Sequence, residues 1–266
     1  MKQRLEIIAS LFYIFALSVS PLGANPGLKV RATAAVQAED FSFTSNGMNG
    51  TALMELVLPE LASVIFSQDT VRRFEKTETQ SGLGGRWSWN PKMWSFLQFL
   101  YSPRFKTDTP KVLPQWSPEA GFGFLAFKKA TFQGSYKFAD YDTAKSHNFS
   151  LNSEWYAFPR FYLAARVSEV GTDFPASDRI WNTAYSLQPS LDILPERLTV
   201  LFIYAHSREP FESGAPGETR SFSADVYHGG AILRIKEWNV RAGWEYENRS
   251  NSTTVRRTNA SVSRSW

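Results

Sequence analysis

The chain has 266 residues, a formal charge of +4 at pH 7, three histidines and no cysteine. Hydrophobic residues make up 43% of it and charged residues 20%, with 21 Phe, 10 Tyr and 9 Trp. Such a composition excludes a disordered chain and a helical membrane protein, and the missing thiols exclude cysteine nucleophiles and cysteine-ligated metals. The basic doublets Arg72-Arg73, Lys128-Lys129 and Arg256-Arg257 are scattered, so a solvated face fits the mild charge and no nucleic-acid partner is expected.

Residues 1–24 read as a signal peptide. Lys2 and Arg4 precede an apolar run from Ile7 to Val19, and small residues end at Ala24. The run is shorter than the roughly 20 apolar residues of a spanning helix. Cleavage is expected after Ala24, with Ala38 as the second site and a retained anchor as the alternative. Residues 25–67 read as a periplasmic leader. Within it TALMELVLPELASVIF (51–66) is apolar and broken by Pro59, which leaves a short helix, an extra strand and a lumen plug all open.

From residue 68 onward the dominant period is two. FQGSYKF (132–138) sets Phe132, Gly134, Tyr136 and Phe138 against Gln133, Ser135 and Lys137. NFSLNSEWYAF (148–158), RFYLAARVSEV (160–170), RLTVLFIYAH (197–206) and WNVRAGWEYE (238–247) divide in the same way. Alternation means strands with two unlike faces. Strands are expected near 68–78, 81–89, 92–101, 119–127, 130–139, 146–157, 160–169, 178–189, 196–206, 219–235, 237–247 and 253–266. Many exceed the ~5–6 residues of an ordinary strand and suit the ~9–11 of a tilted strand crossing a bilayer. In 219–235, Phe222, Ala224 and Val226 share one parity and Ala231, Leu233 and Ile235 the other, so a bulge is expected at Gly229-Gly230, with two short strands as the alternative.

The joins alternate between short ones, such as Phe158-Pro159 and Lys236-Glu237, and longer ones, such as 102–118 and 207–218; the join near Gln80 is too short for the long set. Short turns at one end and long loops at the other mark a bacterial outer-membrane barrel. The expected fold is therefore all-β: a closed antiparallel up-and-down transmembrane β-barrel of about 12 strands over residues 68–266. In lipid every backbone polar group must be paired within the protein, and closure achieves this. TNASVSRSW places Trp266 last on an apolar face, a partial C-terminal signal for the barrel-assembly machinery; Arg264 stands where an apolar residue is usual.

The stretches LPQWSPEAGFGFLAF, FQGSYKFADYD and LNSEWYAFPRFYLAARVSEVG together resemble the YaiO-type outer membrane β-barrel family. There a Pro-Glu-Gly-rich strand start is followed by a Gly-Tyr strand, then by a paired strand with an aromatic-Tyr tip at a tight turn. The resemblance implies an outer-membrane location and supplies no reaction or ligand.

Chemistry is sparse. His147, His206 and His228 sit in SHNFS, AHSRE and YHGG, none of which contains the His-x-Ser pair of barrel lipases and deacylases. His206 and Ser207 are adjacent, so on a continuous strand they point to opposite faces. Lumen-lining candidates are Lys137, Glu154, Arg166, Asp225, Arg234, Arg241 and Glu245, with Glu247 as a further carboxylate. Their ion pairs are expected to plug a narrow lumen, or in an open one to set ion preference. SGAPGE (213–218) is a loop and lacks a phosphate-binding signature. No metal or cofactor is expected, and outer-membrane lipid and lipopolysaccharide are the expected partners. The leading function is a structural or small-solute channel role. The alternatives are a barrel enzyme modifying lipid or lipopolysaccharide and a soluble secreted β-sandwich that binds a ligand.

Overall fold

The structure, a computed structural model, describes residues 28–58, 61–73, 76–103, 112–127, 129–175, 177–212 and 219–266, with the side chains of 209–212 and 219–220 excepted. The expected signal peptide, Pro59 and the SGAPGE loop lie outside the described residues.

The alternating segments form fourteen strands: β1 (Lys29–Phe41), β2 (Gly47–Leu58), β3 (Ala62–Arg73), β4 (Lys76–Asn90), β5 (Met93–Tyr101), β6 (Trp116–Ala126), β7 (Ala130–Asp140), β8 (Lys145–Phe158), β9 (Phe161–Asp173), β10 (Ile180–Leu194), β11 (Leu198–Glu212), β12 (Thr219–Ile235), β13 (Trp238–Arg249) and β14 (Thr254–Ser265). Each pairs antiparallel with its sequence neighbours, and β1 pairs with β14 from Arg31↔Ser265 to Phe41↔Val255, closing the barrel. Trp266 continues the seam through two backbone hydrogen bonds with Val30, at 2.9 and 3.3 Å. No edge is left to pair elsewhere. One closed sheet also excludes the two-sheet sandwich.

Fourteen strands replace the expected twelve, and the leader is where the difference lies. Residues 29–58 are β1 and β2, and TALMELVLPELASVIF is the end of one strand and the start of the next, so its extra-strand reading holds. A boundary after Ala38 would fall inside β1, which is hydrogen-bonded on both sides. The join placed near Gln80 is also corrected. Gln80 lies inside β4, buried and opposite Asp69, and donates to the Pro114 carbonyl at 3.2 Å.

The two faces are distinguished by curvature. Contacts that skip a strand occur on the concave side: Trp94 of β5 reaches Gln133 of β7, and Arg73 of β3 reaches Glu39 of β1. Opposite this wall the side chains are large and apolar, with Leu151 57% and Trp244 51% exposed. The outer face of β6 from Trp116 to Phe124 covers about 26 Å along the strand, or roughly 20 Å along the axis at a tilt of about 40°; this approaches the ~25 Å apolar band of outer-membrane barrels. Trp87, Trp155, Trp238 and Trp266 stand near the short-turn end, and Tyr101, Trp116 and Tyr185 towards the long-loop end. Arg264 is accommodated among these rings, with its guanidinium 5.1 Å from Trp238 and 5.0 Å from Trp266.

On the inner wall, glycines make room for rings. Trp94 lies across Gly123, its register partner, and a Cβ there would strike the indole. Gly123→Ala is therefore expected to lower the unfolding free energy by about 1–3 kcal/mol through overpacking. The urea midpoint of the refolded barrel measures this.

Candidate functional site

The inner wall carries two distinct arrangements. The first is a belt of ion pairs along β13, β14, β1 and β3. The Glu39 side chain is fully buried and receives Arg73 through Nε and Nη2, both at 2.5 Å, and Arg257 Nε at 3.1 Å. Arg73 passes over β2 because Gly47 is the register partner of Glu39; a Cβ on Gly47 would lie 2.7 Å from Glu39 Oε2. Arg257 also pairs with Glu245 and, at 2.6 Å, with Glu247 Oε2, and Arg249 pairs with Glu247. Each contact joins residues on the same strand, adjacent strands or next-but-one strands. The belt therefore reinforces the wall, and these ion pairs do not cross the axis.

The second arrangement is a cavity of about 920 Å³ spanning β4 to β10, lined by Arg86, Trp94, Gln133, Asn152, Glu154, Arg166, Ser186 and Gln188 among others. The Arg86 guanidinium lies 4.6 Å from the Trp94 ring, and Trp94 Nε1 donates to Gln133 Oε1 at 3.3 Å. Arg166 Nε donates to Ser168 Oγ at 3.1 Å. A smaller cavity of about 330 Å³ is lined by Asn49, His228, Arg241, Glu245 and Asn259 among others on the β1, β2 and β11–β14 side. There His228 is buried, with Nδ1 3.7 Å from Glu245 Oε2.

Of the candidates read from sequence, Lys137, Glu154, Arg166, Arg234, Arg241 and Glu245 lie on the inner face, but not in one group. Glu154 and Arg166 share the larger cavity, and Arg241 and Glu245 the smaller. Lys137 is the register partner of Glu119. Arg234 Nη1 donates to Thr199 Oγ1 at 2.7 Å, and that hydroxyl donates to Asp192 at 2.5 Å.

Asp225 is on the outer face. The expected bulge at Gly229-Gly230 is absent: β12 keeps one register with β11 from Leu198↔Leu233 to Glu212↔Thr219 and pairs with β13 without a shift. Ala224 and Val226 consequently point inward, and Asp225 and Tyr227 outward. Asp225 lies towards the long-loop end, where His206 Nδ1 and the Tyr204 hydroxyl both meet its Oδ1 at 2.9 Å. Bulges occur instead at Ser88/Asn90, Trp155/Phe158 and Asp192/Leu194, all beside short turns.

His147 is also outward, with Nδ1 2.8 Å from the Tyr136 hydroxyl and Nε2 3.2 Å from Asp173. Arg179, in the connection after β9, binds the same carboxylate, whose hydrogen bonds hold the guanidinium's pKa above its ordinary value. Strand β11 continues through His206 and Ser207, so they point to opposite faces. Among the described residues no serine hydroxyl bonds a histidine ring.

Sequence reading missed Arg86, Trp94, Glu39, Arg73 and Arg257. Parity places Arg86 and Arg257 inward once the strand is recognised, whereas the Glu39 partnership depends on barrel closure.

An apolar outer wall, a polar inner wall and complete strand closure define the class: the chain has the fold of bacterial outer-membrane β-barrels. No protein-family model and no curated protein sequence matches it. Among solved structures it is similar to the CymD monoaromatic hydrocarbon channel, with TM-score 0.59, 11% identity and coverage of 90% of this chain and 88% of that one. A bacterial polysaccharide outer membrane secretin matches with TM-score 0.55 and 11% identity over 91% of this chain and 99% of that chain. OmpT of Vibrio cholerae matches with TM-score 0.53 and 8% identity over 93% and 100%. These likenesses concern the fold.

Proposed function

We propose that the chain is an outer-membrane barrel, exported by the signal peptide of residues 1–24, that passes small polar solutes through its lumen. The observation that carries this reading is the inner cavity of about 920 Å³, faced by Arg86, Arg166, Glu154 and amide side chains, left beside a wall whose ion pairs run along the sheet. A barrel serving only as a scaffold has no need of such a cavity. The short turns face the periplasm and the long loops the exterior, as the alternation of short and long joins favours. The YaiO-type resemblance points to the same compartment, and Trp266 is proposed as part of the assembly signal.

Lipid chemistry is the second reading, and the His206–Asp225 pair on the outer face favours it. Its third member is the Tyr204 hydroxyl, which donates to the carboxylate and leaves no activated nucleophile.

In planar bilayers the refolded barrel is expected to give stepwise currents that scale with salt concentration. A steady absence of current from protein that a heat-modifiability gel shows to be folded overturns the channel reading.

A further inference from the structure

Charges on the inner wall are unevenly satisfied. Its carboxylates are largely engaged: Glu39, Glu245 and Glu247 by the arginine belt, Glu55 by Arg31 at 3.1 Å, and Asp69 by the Thr51 hydroxyl at 2.7 Å. Glu78 accepts from the backbone amides of Val112 and Leu113. Arg86 and Arg166 differ. Both line the larger cavity, one stacked on Trp94 and the other bonded to a serine hydroxyl, and neither, among the described residues, meets a carboxylate at ion-pair distance. Glu154 is the one carboxylate among the described lining residues.

Most of the remaining lining residues carry amides or hydroxyls, including Gln133, Asn152 and Gln188, and Pro91, Leu125, Ala164 and Ala165 supply an apolar part. Guanidinium groups present paired N–H donors that match a carboxylate, while amides donate to and accept from hydroxyls. A volume of about 920 Å³ is ample for one or two sugar rings. Mobile ions screen charge over about 8 Å at physiological salt, so the charges facing the cavity govern what enters it.

We propose that this cavity binds small hydroxylated organic anions of the sugar-acid class through Arg86 and Arg166, and that it makes the lumen prefer anions to cations. The ion preference rests on the channel reading; the binding site stands on its own geometry.

D-glucuronate and D-glucose distinguish the charge from the hydroxyls. Glucuronate is expected to change the tryptophan emission of the detergent-folded barrel saturably, with glucose much weaker and the change absent in Trp94→Phe. The double variant Arg86→Gln/Arg166→Gln is expected to weaken glucuronate binding by about tenfold or more, the scale of losing a charge-assisted pair, and to move the reversal potential in a KCl gradient towards zero selectivity. Arg86→Lys/Arg166→Lys, which retains charge, is expected to keep the reversal potential while losing part of the binding. Equal binding of glucose and glucuronate, or binding untouched by the glutamine pair, overturns the site. Cation-preferring current overturns the ion preference and leaves the channel reading standing. Glucuronate binding without any current supports the site and sinks the channel.

Discussion

Glu39→Leu is expected to cost the barrel about 3 kcal/mol, because removing one member of a buried ion pair takes from Arg73 the carboxylate it binds and from Arg257 one of its three. Glu39 is 2% exposed and holds Arg73 and Arg257 at once, tying β3 to β1 and β1 to β14 across the closure seam. Arg73 keeps 27% of its side-chain surface in the lumen and can recover solvation, which places the expectation at the lower end of the ~3–5 kcal/mol range for buried pairs. Glu39→Gln keeps the shape and two hydrogen-bonding atoms, so it is expected to lose less. Urea unfolding of the refolded barrel, followed by tryptophan emission and by mobility on unheated gels, reads both variants. An unchanged midpoint for Glu39→Leu would show that the belt does not hold the seam. Combining Glu39→Leu with Arg73→Leu is expected to cost less than the sum of the single changes, since the second removes a charge the first has orphaned.

The facing of β7 to β9, β11, β13 and β14 was legible in the sequence, because a single bilayer contact imposes one apolar parity over a whole strand. Tyr136, Leu151, Val167 and Val240 needed only that rule. β1 escaped it for a physical reason: its outer residues include Ala32, Ala34 and Ala38, small side chains without the aromatic signature, in a segment beginning close after the apolar N-terminal run. β2 and β3 were merged into one apolar segment because their connection is so short. Asp225 was misplaced because apolar residues were assumed to face outward. On β12 the inward Ala224 is 1% exposed, and the outward acid is satisfied by His206 and Tyr204. The Glu39–Arg257 contact joins residues 218 apart in sequence, so no local pattern encodes it. Arg86 was within reach of parity, but its lack of a carboxylate partner is a three-dimensional fact.

Neighbouring residues on β8 test the two-solvent picture most sharply. Leu151 is on the outer face, 57% exposed, between Gly134 and Val167 in register; Asn152 follows it on the inner face and lines the larger cavity. Leu151→Arg places a guanidinium near the middle of the apolar band, where about 2–4 kcal/mol of stability is expected to be lost in lipid, with Asp or Glu less costly than Arg or Lys. Asn152→Arg adds the same group one residue along, into a polar cavity, and is expected to change stability by no more than about 0.5 kcal/mol. Since the two variants share strand, chemistry and size, the difference between them isolates the medium each face meets. In phosphatidylcholine vesicles the ratio of folded to unfolded protein at intermediate urea measures it directly. The penalty at position 151 should be larger in vesicles than in detergent micelles, whose loose packing lets a charged side chain reach water. Equal penalties at 151 and 152, or a penalty at 151 that is the same with and without lipid, would mean that hydrocarbon does not touch the outer wall, and the membrane-spanning assignment would then fail with the fold intact.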